Sequence, residues 1–188
     1  MNSRNSIFNS LKRRFIDIYF LLLILLIPFG IVAQCDAPGI PEGMTFEEPG
    51  DYRSADALAA DCMEWLLAHD LDYCASDRNE LNAFVLVWLS GHPDLIVDVK
   101  KEAIPFLRHH PELLYPMLHG MAMYLMETPE KERNEINAHV AGLEAVTDAI
   151  GKCSDYKKDE ELKRLRKDRR KGRLEERGKL KGRGRLRE

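Results

Sequence analysis

The sequence predicts an all-α fold, a compact bundle of about five helices with a charged helical/disordered C-terminal tail. Three observations carry this. Between positions 54 and 151, apolar residues recur three and four apart, the spacing of one helix face. The breaks between these runs hold helix-boundary residues: Ser54, Ser76, Gly91, Pro93, Pro111 and Thr128-Pro129. Finally, Leu81–Gly91 (LNAFVLVWLSG) is apolar nearly all round. It falls well short of the ~20 residues of a membrane span, so it reads as a core helix wrapped by amphipathic neighbours.

The chain opens on a basic leader with Arg4, Lys12, Arg13 and Arg14. An apolar run follows, Ile18–Ile27, which Pro28 and Gly30 end; Ile31-Val32-Ala33 then puts a small residue before Gln34. These are the three regions of a secretory signal peptide, expected over 1–33. The run contains Pro and Gly and is short for a stable membrane anchor. The expected address is the periplasm or the cell exterior. A lipidated Cys35 needs a small residue before it, and Gln34 stands there.

Residues 34–53 hold several Gly and Pro and no periodicity, so an extended N-terminal arm is expected. The helical domain follows over 54–153. Ser54 is placed to cap a first helix, 54–69, with Leu58, Cys62, Trp65, Leu66 and His69 on its stripe. Ser76 caps the central helix, 77–90, where Leu81, Phe84, Val85 and Trp88 form one face and Leu86 and Val87 much of the other. Gly91 is expected to close it in the left-handed conformation. Leu95-Ile96-Val97 reads as an extended connection. Asp98 caps a helix to about His109, kinked at Pro105. Pro111 begins a nearly continuous apolar helix, 111–127, bent at Pro116. Gly120 and Ala122 would let another helix approach, and four Met fill gaps. Thr128-Pro129-Glu130 starts the last helix, whose face is Ile136, Val140, Leu143, Thr147 and Ile150.

Charge is divided unevenly. Residues 34–153 carry eight Lys/Arg and twenty-two Asp/Glu, 8 − 22 = −14; residues 154–188 carry sixteen and eight, 16 − 8 = +8. The basic charged tail, 154–188, is expected to be helical to about 171 and disordered beyond, with too little apolar surface to offset ordering entropy. Within it, Lys163, Arg164, Arg166, Lys167, Arg169, Arg170, Lys171 and Arg173 surround a single acid, Asp168. They are the candidate polyanion-binding residues. No aromatic follows Tyr156, so such binding would be charge-driven and without base stacking. The alternative is a solubilising tail, or one folded against its own acidic body.

Four cysteines follow the leader: Cys35, Cys62, Cys74 and Cys153. An even count in an exported chain permits disulfides in three connectivities, and the spacings match no zinc motif. Cys62 reads as a buried thiol on a helix stripe. Cys74 and Cys153 both fall just beyond helix ends, which favours Cys74–Cys153 as a bridge contributing roughly 2–4 kcal/mol.

Chemistry has little to hold. His109, His110, Glu112 and His119 are the densest set of possible ligands. A metal-dependent enzyme built on His109, His110 and His119 is the catalytic alternative. Pro111 interrupts their spacing, however, and no HExxH occurs. There is no Gly-x-Ser-x-Gly, CxxC, P-loop or dinucleotide fingerprint. No catalytic residue, cofactor or metal is therefore expected.

Trp88-Leu89-Ser90-Gly91 followed by Phe106-Leu107-x-x-His110-Pro111-Glu112-Leu113-Leu114 resembles uncharacterised, secreted small helical proteins of Gram-negative bacteria. It also looks distantly like the periplasmic immunity proteins of type VI secretion. That group carries cysteines flanking this region, whereas this chain has none between Cys74 and Cys153. The resemblance implies an acidic helical body that binds an effector. The expected function is thus an exported, non-catalytic binding protein of unknown partner, of immunity type where the resemblance is followed, with a cationic protein as the partner if the body is the binder. An acid-stress periplasmic chaperone acting through the Met-rich helix is a further alternative.

Overall fold

The computed structural model describes residues 35–99, 104–152 and 155–179. The chain divides into two units, Met1–Asp36 and Ala37–Glu188, and the description below concerns the second. The expected signal peptide lies outside the described residues, as does Cys153. Among the described residues there are seven α-helices and no strand, so the all-α class holds. No described helix is long and apolar enough to cross a membrane.

A first short helix, α1 (Pro49–Ser54), occupies the end of the expected arm. Glu48 and Asp51 form a reciprocal cap, and Pro49 stands at the first helical position, where its missing N–H is no loss. Ser54 therefore ends α1 instead of capping the next helix, and its hydroxyl donates to the Asp51 carbonyl at 2.8 Å. The next helix, α2 (Asp56–Ala68), buries Ala59, Cys62, Met63, Trp65 and Leu66.

The central helix α3 (Ala75–Gly91) begins one residue before Ser76, after Cys74 in the left-handed conformation. It buries Leu81, Phe84, Val85 and Trp88, the face expected from the sequence. Its far side is not wrapped: Leu86 and Leu89 are half-buried and Val87 is 54% exposed. Gly91 is the last helical residue rather than a left-handed cap. A Cβ there would run into the Tyr52 ring and hydroxyl, so glycine is what this close approach takes. Trp88 completes this corner by donating its indole N–H to the Tyr52 carbonyl at 3.0 Å.

Of the helix expected over 98–109, the described part is a 3-10 turn, Pro105–Arg108. A second 3-10 turn, Pro111–Leu113, leads into α4 (Leu114–Glu127). Pro116 falls in the first turn of α4, where no intrahelical N–H is needed. The last body helix, α5 (Glu135–Lys152), starts later than Thr128-Pro129 suggests. The Asn134 side chain accepts from the N–H groups of Ile136 (2.8 Å) and Asn137 (3.3 Å) and so sets the start. α4 and α5 meet at two glycines: a Cβ on Gly120 would lie 2.7 Å from the Ala141 carbonyl oxygen, and one on Gly142 2.7 Å from that of Met117.

The tail is ordered further than its composition suggests. After a 3-10 turn, Asp155–Lys158, come α6 (Glu160–Arg170) and α7 (Leu174–Lys179), both packed on α5. Leu162, Leu165 and Leu174 are all buried. The expectation of disorder after 171 is thereby corrected as far as Lys179. Gly172, at φ +65°, reverses the chain so that Leu174 joins the two leucines of α6 on one core. Leucines that look isolated along the sequence become one apolar footing.

Candidate binding surfaces

The basic run of the tail is held on the acidic body by specific contacts. Asp159 caps α6 by accepting from the Leu162 N–H at 2.9 Å and stands 3.3 Å from His110 Nε2. That backbone donor first, and His110 after it, hold the Asp159 carboxyl below its usual range. Tyr156 donates its hydroxyl to Glu112 at 2.9 Å, with the His110 ring edge-on to its own. Arg169 grips Asp148 on α5, and the Arg166 Nη2 donates to the Ile150 carbonyl at 3.4 Å. Asp168 takes Arg173 (2.7 Å) and Arg177 (2.8 Å), which likewise depress its carboxyl. One of these contacts, Arg169 with Asp148, joins a tail cation to a body acid, whereas Arg173 and Arg177 pair within the tail.

The eight candidate polyanion residues separate accordingly. Arg169 and Arg173 are engaged by Asp148 and Asp168. Lys163 and Arg164 pair along α6 with Glu160 and Glu161. The side chains of Lys167, Arg170 and Lys171 have no hydrogen-bond or ion-pair partner among the described residues. A concavity of about 530 Å³ lies beside α6, lined by Thr147, Lys163, Arg166, Lys167, Arg169 and Arg170. Positions 163, 166, 167 and 170 share one helix face, which is why they reach it together.

The histidines diverge. His109 is exposed, and His110 sits beside Asp159 and Glu112. His119 is buried on α4 at 2% exposure, where desolvation, with Arg78 nearby, pushes its pKa down to about 3. The three do not gather as a ligand set among the described residues. Cys62 is a free, buried thiol, raised to about 11 by desolvation. Cys35 and Cys74 are each disulfide-bonded, so Cys35 keeps no thiol for a lipid. Cys153, the expected partner of Cys74, lies outside the described residues.

A second surface was not singled out from the sequence. Ile96 is 85% exposed at the crest of the 92–97 loop. On one side a concavity of about 440 Å³ is lined by Leu86, Leu89, Leu95, Val97 and Leu118, with Ser90 and His92. On the other, one of about 380 Å³ is lined by Met121, Leu125 and Ala138, with Asp94, Asp98, Glu130 and Glu135 and a single cation, Arg133, among its described residues. Polar ties fix the base of this loop. The His92 Nδ1 accepts from the Asp94 N–H at 3.1 Å, so its Nε2 carries the proton and donates to Asp56 at 3.0 Å. Arg53 makes two bonds to the Asp94 carboxylate, 2.7 and 3.1 Å, and lowers its pKa. Arg133 donates to the carbonyls of Asp94 (2.8 Å) and Thr128 (3.1 Å). The signal in the sequence was present: Leu95-Ile96-Val97 had no strand to pair with, and Leu86, Val87 and Leu89 needed a cover.

No family model, curated protein or solved structure matches the chain.

Proposed function

We propose that this chain is an exported, non-catalytic binding protein that captures a cationic, amphipathic protein segment on the face around Ile96, as an immunity-type protein would capture a toxin. The observation that carries this reading is Ile96 itself, 85% exposed between a leucine-lined groove and a rim of carboxylates. A large apolar side chain held in water by a pinned loop loses free energy unless something covers it, and such patches mark interaction sites. The apolar groove supplies contact area. The acidic rim, on a body of net charge −14, supplies steering and selects positive partners. The catalytic alternative has less support, because its three histidines lie in solvent, beside Asp159 and in the core.

An 18-residue helical peptide of lysine and leucine serves as a stand-in partner. Its fluorescence anisotropy should rise on adding the mature protein, with weaker binding at high salt. Ile96→Asp should weaken binding at least tenfold while leaving the thermal melt unchanged. Equal affinity for Ile96→Asp and wild type would remove this face from consideration.

A further inference from the structure

We propose that the concavity beside α6 is a saturable site for a compact polyphosphate, a group with two or more closely spaced phosphoryl units. The site is separate from the Ile96 face and does not depend on the reading above. Its volume, about 530 Å³, lies within the ordinary range of small-ligand sites. Among the described residues that line it, five of six are cations and none is an acid. Two of those charges are already met, Arg169 by Asp148 and Lys163 by Glu160. Three are not. The Lys167 and Arg170 side chains have no ion-pair or hydrogen-bond partner among the described residues. Arg166 donates Nη2 only to a neutral carbonyl, and its Nε is buried without an acceptor.

Acids lie near these cations, Asp148 and Glu144 beside Arg169 and Glu160 beside Lys163, and they weaken the local positive field; the attraction of the charges left over still grows with the charge of the anion, which favours a multiply charged one. Size gives the same answer. Lys163 to Arg170 spans about 10 Å of helix, the reach of a di- or triphosphate and not of an extended strand. No aromatic is among the described residues that line the groove, so these residues offer a nucleobase nothing to stack on. The scaffold is ordered before binding: Leu162 and Leu165 anchor α6 in the core, so little ordering entropy remains to be lost. A diffuse polycation becomes a shaped one.

The full mature chain is titrated calorimetrically with inorganic tripolyphosphate at physiological salt. A single saturable site is expected. Lys167→Ala with Arg170→Ala should weaken it at least tenfold. Lys157→Ala with Lys158→Ala removes the same charge outside the groove and should change affinity less than twofold. Circular dichroism melts verify that both double variants fold. Phosphatidylcholine vesicles doped with a bisphosphorylated inositol lipid test the same chemistry as a headgroup. Capture by these, lost in the Lys167/Arg170 variant, keeps the site and identifies its source. Absence of saturable binding to either probe overturns the proposal. So does equal loss in the two double variants, or tighter binding per phosphate to a single-stranded oligonucleotide.

Discussion

Arg169 on α6 reaches Asp148 on α5 with both terminal guanidinium nitrogens, Nη2 standing 3.0 Å from Oδ2. The pair joins the basic tail to the acidic body across an exposed seam. Both side chains are more than a third exposed, so solvent screens them. A double-mutant cycle of Arg169→Ala and Asp148→Ala in urea should return a coupling of about 0.2–1 kcal/mol. A coupling indistinguishable from zero would mean the leucines alone hold the tail.

Those leucines carry the larger share. Leu162 and Leu165 are fully buried, and truncating either leaves a cavity against α5. Leu162→Ala and Leu165→Ala should each cost about 2–5 kcal/mol in equilibrium unfolding. A loss under about 0.5 kcal/mol would show that the tail lies on the domain without belonging to it.

Two glycines of the long helices should respond with opposite sign. At Gly120 an added methyl meets the Ala141 carbonyl oxygen at 2.7 Å, a backbone atom that yields only if the helices part. Gly120→Ala should destabilise by roughly 1–3 kcal/mol. Gly151 has open space around its Cβ position near the end of α5, and Gly151→Ala should stabilise by a few tenths up to about 1 kcal/mol. Thermal melts of the two variants displaced in the same direction would contradict the packing described.

Cys62 is buried and its pKa is pushed up to about 11, so almost none is thiolate near neutrality. An aromatic disulfide reagent at pH 8 should leave this thiol unmodified in the folded protein and label it completely in guanidinium. Prompt labelling in the folded state would place the thiol at the surface.

Acid should loosen the tail helices before α4. Asp159 and Asp168 have folded-state pKa values below the ordinary aspartate value of about 3.9. Groups of this kind contribute stability above that value and lose it as pH falls through the lower folded-state pKa. Protection factors of the amides in α6 and α7 should therefore fall, relative to those in α4, as pH is lowered from 5 to 2. Asp159→Asn should remove part of that difference. A uniform loss of protection across the domain would show that the two carboxylates have no special part.

The body helices were legible because burial imposes a period on apolar residues. Leu81, Phe84, Val85 and Trp88 sit inside as their spacing requires, and Gly120 lies at a close helix crossing. Boundaries were less so, since Asn134 and the Glu48/Asp51 pair outcompete Thr128 and Ser54 as caps through contacts that a residue list does not rank. The tail misled because composition ignores a turn: Gly172 brings Leu174 back beside Leu162 and Leu165. The Ile96 face went unnoticed because the pattern tells that α3 is apolar all round but not that one side stays uncovered. The α6 groove needed the three-dimensional sorting of engaged from unengaged cations, although the cations themselves were plain in the sequence.

The seating of α6 also bears on how long this protein endures among trypsin-like proteases. Such enzymes thread an extended stretch of chain through their cleft, and the densest lysine and arginine run here is wound into a helix whose leucines are locked under it. Cleavage must wait for that helix to unwind, so a segment that on composition alone should be digested at once is instead shielded for as long as the domain stays folded.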